Sequence, residues 1–322
     1  MKDHFITEIQ IKDFKCFDDF KADGFTQVNL IGGKNNVGKT AFMEACYINL
    51  SAQDVKSFSY ALYDIKFRRE KLNLLYNEAK KKEYLEESHN FFTKSNINKA
   101  HYSIDEENGI KVYHFEMVNS EHPDIFVNVN EFSFEFYNID NINYIDNFGF
   151  SNANIVTGYA SIQKRDEENY LNKILKLVDP NIESFKIIED KPQCKVSGNY
   201  LNITELGDGV RHTVSILTSL YSSENGYLFI DEIDNGIHFS ILDTIWKTIL
   251  TLSKELNVQV FATTHSKECI ESFNRIQLKL ENKKSCYFEM ARHRKTNKIL
   301  IQGIDSELLN YSLKHQEKFR GE

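Results

Sequence analysis

The run from Gly33 to Thr40, GKNNVGKT, constrains the fold of this chain more than any other feature. It fits the pattern G-x-x-x-x-G-K-[ST], in which glycines let the backbone curl until successive N–H groups point inward. Such a loop needs an apolar strand before it and a helix after it. The sequence supplies both, because Val28 to Ile31 is apolar and Thr40 to Leu50 favours a helix. The pattern therefore predicts a phosphate-binding loop in an α/β fold.

Each position of this phosphate loop has an expected role. Lys39 is predicted to bridge the β- and γ-phosphates of ATP, and the Thr40 hydroxyl to coordinate Mg²⁺. The helix that follows adds the positive end of its dipole. The nucleotide-binding residues predicted in the loop are Gly33, Asn35, Asn36, Val37, Gly38, Lys39 and Thr40.

Four apolar residues followed by two acids, YLFIDE, occupy positions 227–232. A buried strand that ends in Asp-Glu brings carboxylates to the edge of the sheet where ligands of such folds bind. Asp231 is predicted to hold Mg²⁺, through water, and Glu232 to polarise the attacking water as a general base. Without the phosphate loop, the same run would fit a strand followed by an acidic turn.

Two further runs have a functional and a structural interpretation. The strand-like run VQVFATTH ends at His265, whose imidazole would sense a γ-phosphate, although a histidine at a strand end is more often structural. The run LGDGVR at 206–211 opens a helix, and its two glycines suggest a second anion site. Asp208 would repel a phosphate unless it caps the helix, and the run also fits an ordinary glycine turn.

Composition narrows the class of protein. The 322 residues carry a formal net charge of -8 and a pI of about 5.8, which argues against a constitutive nucleic-acid binder but leaves room for a local basic patch. The sequence shows neither a signal peptide nor an apolar run long enough for a membrane span. The five cysteines are scattered, with no pair at metal-ligand spacing, which favours a reduced cytoplasmic compartment.

The motifs occur in the order IKDFKCF, GKNNVGKT, LGDGVRH, LFIDEIDNGIH and FATTHS. This order resembles the ABC-type ATPase heads of the SMC and RecF group, and most of all the bacterial AAA-labelled ATPases related to the OLD (overcoming lysogenization defect) proteins. The resemblance implies one domain over 1–322, an α/β P-loop NTPase of the ABC type. It implies a mixed central sheet, an antiparallel β layer, a helical insertion at 54–98, and a C-terminal hairpin and helix at 266–322.

The resemblance also implies a homodimer in which ATP lies between two heads packed head-to-tail. The signature loop of one copy would face the phosphate loop of the other, and its expected residues are Leu206, Gly207, Asp208, Gly209 and Arg211. Arg211 would reach the partner's nucleotide, and His265 matches the switch histidine of the family. The segment Ile233 to His238 matches the loop that couples the two sites. A glutamine that ligates Mg²⁺ is usual, and Gln163 is the candidate, although a surface role fits it better.

Two functions from different classes follow from the resemblance. The first is a Mg²⁺-dependent ATPase switch whose ATP-driven dimerisation controls a separately encoded effector, a nuclease or a toxin, in defence against phage. The chain is not expected to cut nucleic acid itself, since about 57 residues follow His265 and they hold no separate acidic constellation.

The alternative is a DNA-binding head of the SMC and RecF kind, acting in repair or DNA-end sensing. Its candidate contacts are the basic stretch from Arg68 to Lys82 and the turn with Arg292, Arg294, Lys295 and Lys298. Both stretches also fit solvated surface. A protein that binds ATP without turnover is disfavoured by the intact Lys39, Asp231 and Glu232.

Overall fold

The computed structural model describes residues 5–52, 57–58, 60–62, 64–65, 68–69, 99–107, 110–118, 139–147 and 149–315. The chain divides into two compact units. The first unit consists of Met1–Thr7, Gly24–Thr40 and Asn141–Glu322, and the second of Glu8–Asp23 and Ala41–Asp140.

The described strands are β1 (Glu8–Phe14), β2 (Phe17–Asp23), β3 (Val28–Gly32), β4 (Lys99–Glu107), β5 (Ile110–Val118), β6 (Ile142–Ile145), β7 (Ile182–Ile188), β8 (Lys191–Val196), β9 (Asn199–Asn202), β10 (Tyr227–Ile230), β11 (Gln259–Thr263), β12 (Ser285–Arg292) and β13 (Ile299–Ile304). The α-helices are α1 (Lys39–Ser51), α2 (Asn152–Gln163), α3 (Glu168–Val178), α4 (Asp208–Ser222), α5 (Leu242–Glu255), α6 (Lys267–Lys279) and α7 (Ser306–Lys314). No described helix is long and apolar enough to span a bilayer.

The first unit is built on a six-stranded sheet in the order β13-β12-β3-β11-β10-β6. All neighbouring strands are parallel except β12 and β13, which pair antiparallel. The predicted mixed central sheet is therefore confirmed. Parallel neighbours end at the same edge, so the chain segments that follow β3, β10 and β11 meet there.

The two faces of this sheet are filled differently. On one face, sheet residues such as Leu30, Ile230 and Val260 join the apolar sides of the helices in one buried cluster. On the other face, Tyr144, Phe229 and Phe261 stack across three strands, with ring centroids 5.9 and 5.5 Å apart. Each such side chain contributes about 1.5–3 kcal/mol through burial, so this packing fixes the sheet edge where the strands end.

Antiparallel pairs complete the fold, as predicted. The second unit contains the hairpins β1-β2 and β4-β5, and the first contains the three-stranded sheet β7-β8-β9. Together with the mixed sheet, these layers confirm the P-loop NTPase fold class. The helix predicted after the phosphate loop is α1, and all of its residues from 41 to 48 are buried.

The predicted insertion at 54–98 lies largely outside the described residues. Where it is described, between 57 and 69, it is helical. Two arginines of the insertion form ion pairs, Arg68 with Asp64 and Arg69 with Glu44, at 2.9 and 2.6 Å. The basic stretch proposed as a DNA contact therefore begins with residues that have acidic partners.

The sequence pattern did not predict α2 and α6. Both begin at a serine cap: the Ser151 hydroxyl accepts a hydrogen bond from the Asn154 N–H, and the Ser266 hydroxyl from that of Cys269. A serine before an apolar periodic run is the signal that would have revealed them. The C-terminal hairpin and helix predicted within 266–322 are β12-β13 and α7, and α6 precedes them.

Candidate functional site

The phosphate loop has the backbone that its glycines predict. Gly33, Asn36 and Gly38 have φ values of 142°, 62° and 110°, in the region that favours glycine and tolerates asparagine. The Lys39 ammonium lies inside the loop and donates hydrogen bonds to the carbonyls of Gly33 and Lys34, at 2.8 and 2.9 Å. This curled backbone around a lysine is a cradle that fits a phosphate chain. Of the other predicted residues, Asn35 is exposed and Val37 is buried.

Strand β12 supports the loop from behind. A Cβ atom on Gly32 would collide with the Tyr287 hydroxyl, and one on Gly33 would collide with the main-chain carbonyl of Met290. The glycine pair at the start of the loop, Gly32 just before it and Gly33 as its first residue, is thus required by the close approach of a neighbouring strand. The sequence indicated the loop but not this support.

Asp231 follows β10 and is held from two sides. The Thr40 hydroxyl donates to one carboxylate oxygen at 2.9 Å, and the Thr263 hydroxyl donates to the other at 2.6 Å. The phosphate loop, β10 and β11 thus converge on one carboxylate, and the Mg²⁺-binding roles of Asp231 and Thr40 stay predictions. A hydroxyl and a carboxylate at this separation are oxygen donors of the kind that Mg²⁺ prefers.

Glu232 occupies a sharp turn after the sheet edge. Its φ of 50° lies in the left-handed region, which costs an ordinary residue roughly 1–3 kcal/mol. The turn is fixed because the Glu232 N–H donates to the Thr263 hydroxyl at 2.9 Å and its carbonyl accepts from the Asn235 N–H at 2.8 Å. The backbone therefore presents this side chain away from the strand.

His265 lies beside Glu232 at the same edge. Its Nδ1 is 3.9 Å from the nearer Glu232 carboxylate oxygen, and both side chains are partly exposed. That separation is an ion-pair distance when the imidazole is protonated and is too long for a hydrogen bond. The two residues predicted as catalytic are thus brought together.

Four carboxylates act electrostatically on the Lys39 ammonium. Burial lowers the pKa of the Lys39 ammonium, and the negative charges of Asp231, Glu232, Glu289 and Asp234 oppose that shift. A cation buried among carboxylates and facing the loop backbone is suited to bind an anion that also carries Mg²⁺.

The signature loop, residues 206–211, leads into α4. Gly207 is the N-cap with a φ of 90°, and no side chain caps the helix, so Asp208 does not act as the cap. Gly207 and Asp208 are exposed, and Leu206 and Gly209 are half-buried. A Cβ on Gly236 would lie 2.8 Å from the Cβ of Asp208, so the turn after Glu232 packs closely on this loop.

Arg211 points back into its own chain. Its guanidinium donates to the Phe150 carbonyl at 2.9 Å, and its Nε is buried without a hydrogen-bond partner among the described atoms. The role of Arg211 in a partner's site stays a prediction, and it would require this side chain to turn outward.

His212, the next residue of α4, is almost fully buried. Burial lowers its pKa to about 4, although a hydrogen bond to the backbone of Ile233 and the charge of Asp234 act in the opposite direction. The imidazole is neutral at neutral pH and joins α4 to the turn after Glu232.

Gln163 ends α2 and is exposed. Its role as a glutamine ligand of Mg²⁺ stays a prediction.

Sequence reasoning missed the two threonines after β11's apolar core. Thr263 holds Asp231 and the Glu232 backbone, and Thr264 donates to Asp234 at 2.6 Å. The run FATTHS contained them. The available signal was the pair of hydroxyls at the end of β11, a strand that lies beside β10 and its two following acids.

Comparison with known proteins gave one family and several relatives. The family described as "AAA domain, putative AbiEii toxin, Type IV TA system" matches residues 73–271, more than half of the chain. The match includes Asp231, Glu232 and His265 but begins after the phosphate loop. An "ATP/GTP phosphatase" of Helicobacter pylori is 24% identical, over 84% of this chain and 88% of the relative.

Several solved structures are also similar at low identity. The SMC head domain from Thermotoga maritima is 12% identical with a TM-score of 0.44, covering 93% of this chain and 98% of that one. The SmcHead bound to the C-winged helix domain of ScpA is 13% identical with a TM-score of 0.48, covering 94% and 99%. The cbiO1 protein of Clostridium perfringens, part of the ABC transporter complex cbiONQ, is 13% identical with a TM-score of 0.44, covering 97% and 94%.

Proposed function

The chain belongs to this AAA-domain family and is an ATPase, and from that premise we propose that it hydrolyses ATP with Mg²⁺ as a dimerisation switch of the ABC type. One observation carries the proposal. Asp231 accepts hydrogen bonds from Thr40 of the phosphate loop and from Thr263, which also holds the Glu232 backbone. This arrangement supports phosphate binding, metal binding and water activation around one carboxylate.

The phosphate loop from Gly33 to Thr40 binds the ATP phosphates through its backbone N–H groups and Lys39. Thr40 and Asp231 would hold Mg²⁺, which supplies positive charge against the β- and γ-phosphates. Lys39 adds a second positive charge from within the cradle. These residues orient the phosphates and stabilise the charge that develops on them.

Glu232 is proposed as the general base. Its side chain projects from a fixed left-handed turn directly after the residue that would hold the metal. There it accepts a proton from the attacking water. His265, on the neighbouring strand end, is proposed to contact the γ-phosphate and to orient Glu232.

We place the second half of the site on another copy of the chain. The exposed Gly207 and Asp208 begin α4 without a side-chain cap, so no capping side chain competes for the free N–H groups of the first turn. In the proposed homodimer this signature loop faces the partner's phosphate loop. Contact with the turn at Gly236 then ties the signature loop of each copy to its own Glu232.

The proposal extends to a separately encoded effector, a nuclease or toxin, that the dimer controls in the cytoplasm. The family description includes a putative toxin of a type IV TA system, which supports a setting in such a two-component system and names no separate partner. Defence against phage is the proposed setting, and cleavage of nucleic acid is assigned to the effector and not to this chain.

Substitution of the proposed base tests the mechanism. Glu232→Gln keeps the shape of the side chain but removes its basicity, so we expect ATP hydrolysis to fall by about a hundredfold or more. ATP binding should persist, and the dimer should accumulate with ATP, as measured by size exclusion with light scattering. Glu255→Gln, an exposed change at the end of α5, is the matched control. Wild-type turnover in Glu232→Gln would remove Glu232 as the base.

One observation favours the alternative of DNA binding. The exposed turn between β12 and β13 carries four cations: Arg292, Arg294, Lys295 and Lys298. The test is binding of duplex DNA at several salt concentrations, with reversal of these charges to Glu. Affinity that falls with salt and disappears on charge reversal would support the DNA-binding function. Weak binding that the reversal leaves unchanged would count against it.

A further inference from the structure

A half-buried carboxylate, that of Glu289, lies at the phosphate loop without a part in the mechanism above. Glu289 belongs to β12, which runs parallel to β3, and its register partner is Gly32, the residue just before the loop. The sheet therefore brings this carboxylate to the beginning of the phosphate cradle. It reaches that place through a strand pairing of residues far apart in the sequence.

The Glu289 side chain is held in place. Tyr287, two residues earlier and on the same side of β12, is fully buried and donates its hydroxyl hydrogen bond to the Glu289 carboxylate. A Cβ on Gly32 would collide with the same hydroxyl, so the tyrosine is packed against the chain that enters the loop. The carboxylate is thus oriented by a buried donor next to the loop.

The charges of Glu289 and Lys39 act on each other. Burial raises the pKa of the Glu289 carboxyl, while the Tyr287 hydrogen bond and the charge of Lys39 lower it. Among the residues that the structure describes, the hydrogen-bond acceptors of the Lys39 ammonium are two neutral carbonyls, those of Gly33 and Lys34. A buried ammonium is costly without nearby negative charge, and Glu289 supplies part of that charge from behind the loop.

We propose that Glu289 is a positioning residue of the nucleotide site, whose carboxylate, oriented by Tyr287, is a counter-charge to Lys39 and limits how tightly the loop binds ATP. This inference rests on the proposed function, since it assumes that the phosphates of ATP bind at Lys39. The phosphate chain brings negative charge to the same ammonium, so a fixed carboxylate nearby opposes its binding. A moderate affinity lets the product leave.

The test measures dissociation constants of ATP and ADP at fixed ionic strength. Glu289→Gln keeps the size of the side chain and removes its charge, so ATP should bind about tenfold more tightly. ADP, with less charge, should gain less. A purely structural role predicts the opposite, since disturbing the support of the loop would weaken binding. Glu289→Asp retains the charge and should stay near wild-type affinity, and Glu183→Gln, on β7, is the control for removing a strand carboxylate.

The outcomes separate this inference from the proposed function. Unchanged or weaker ATP binding in a folded Glu289→Gln protein would overturn the role of Glu289 and leave the ATPase intact. Should Glu289→Gln fail to fold, Glu289→Met gives a second neutral side chain of similar length, with the same expected gain in affinity and the same contrary result. ATP binding that survives Lys39→Ala would instead contradict the proposed function itself.

Discussion

Two helix beginnings in the first unit, the phosphate loop before α1 and the signature loop before α4, are both rich in glycine but are held differently. The phosphate loop is packed against β12 at Gly32 and Gly33, and it encloses its own lysine. The signature loop exposes Gly207 and Asp208 and has no side-chain cap. The conformation of the phosphate loop is fixed by β12 of the same chain, which supports a nucleotide-binding role for that loop. The signature loop exposes Gly207 and Asp208 to solvent, which supports a role in docking to a second copy.

The largest expected effect concerns the phosphate loop and tests whether it binds nucleotide through Lys39. Lys39→Ala removes the ammonium that the loop encloses, so ATP binding should fall below detection and hydrolysis with it. Isothermal titration or a fluorescent ATP analogue measures this. Lys34→Ala is the matched control, because Lys34 is exposed and contributes its backbone carbonyl rather than its ammonium to the loop. Equal affinities in the two variants would show that the loop does not bind nucleotide through Lys39.

A smaller effect on ATP hydrolysis is expected from a substitution in the signature loop. Arg211→Ala should slow hydrolysis by about tenfold to a hundredfold, since a donor to the partner's nucleotide is lost, while the single chain should bind ATP as before. Hydrolysis is measured against protein concentration, and binding at concentrations below dimerisation. Arg165→Ala, which removes an exposed arginine paired with Glu224, is the control. Weaker ATP binding by the single chain would assign Arg211 a role within its own chain, such as its bond to Phe150.

The smallest expected effect concerns the pH dependence of the free energy of unfolding, and it tests the packing beneath the signature loop. The pKa of His212, under the signature loop, falls from its ordinary 6.5 to about 4 through burial, so the folded state binds fewer protons than the unfolded state between these values. Its contribution is present above pH 6.5 and is lost as the pH falls towards 4, by about 3 kcal/mol. Urea unfolding of wild type and His212→Gln across this range measures it.

The exposed His293→Gln is the control for that experiment, because it removes an imidazole from the β12-β13 turn. The slope of the free energy of unfolding against pH should be shallower in His212→Gln than in wild type and in the control. Equal slopes in all three proteins would show that His212 is not the buried neutral group that loosens the start of α4 on acidification.

Sequence alone predicted the parts of the site that local pattern determines. The phosphate loop and the acids after β10 are short runs in which residue type and chain position already imply the chemistry. Thr263 and Glu289 were missed because their meaning comes from pairing: β11 lies beside β10, and β12 beside β3, through registers that no local pattern specifies. The roles of Gly32 and Gly33 show the same limit. From the sequence, these glycines are needed for the curl of the phosphate loop. The structure adds a second reason, because β12 approaches them too closely for a side chain.

The support of the phosphate loop by β12 also has a consequence for the growing chain. Gly32 and Gly33 leave the ribosome about 250 residues before Tyr287 and Met290, the residues of β12 that pack against them. Contacts so distant in sequence form late in folding. A nascent chain therefore carries the complete phosphate motif for most of its synthesis without the strand that shapes it, and its capacity to capture nucleotide arises only when that strand has been added.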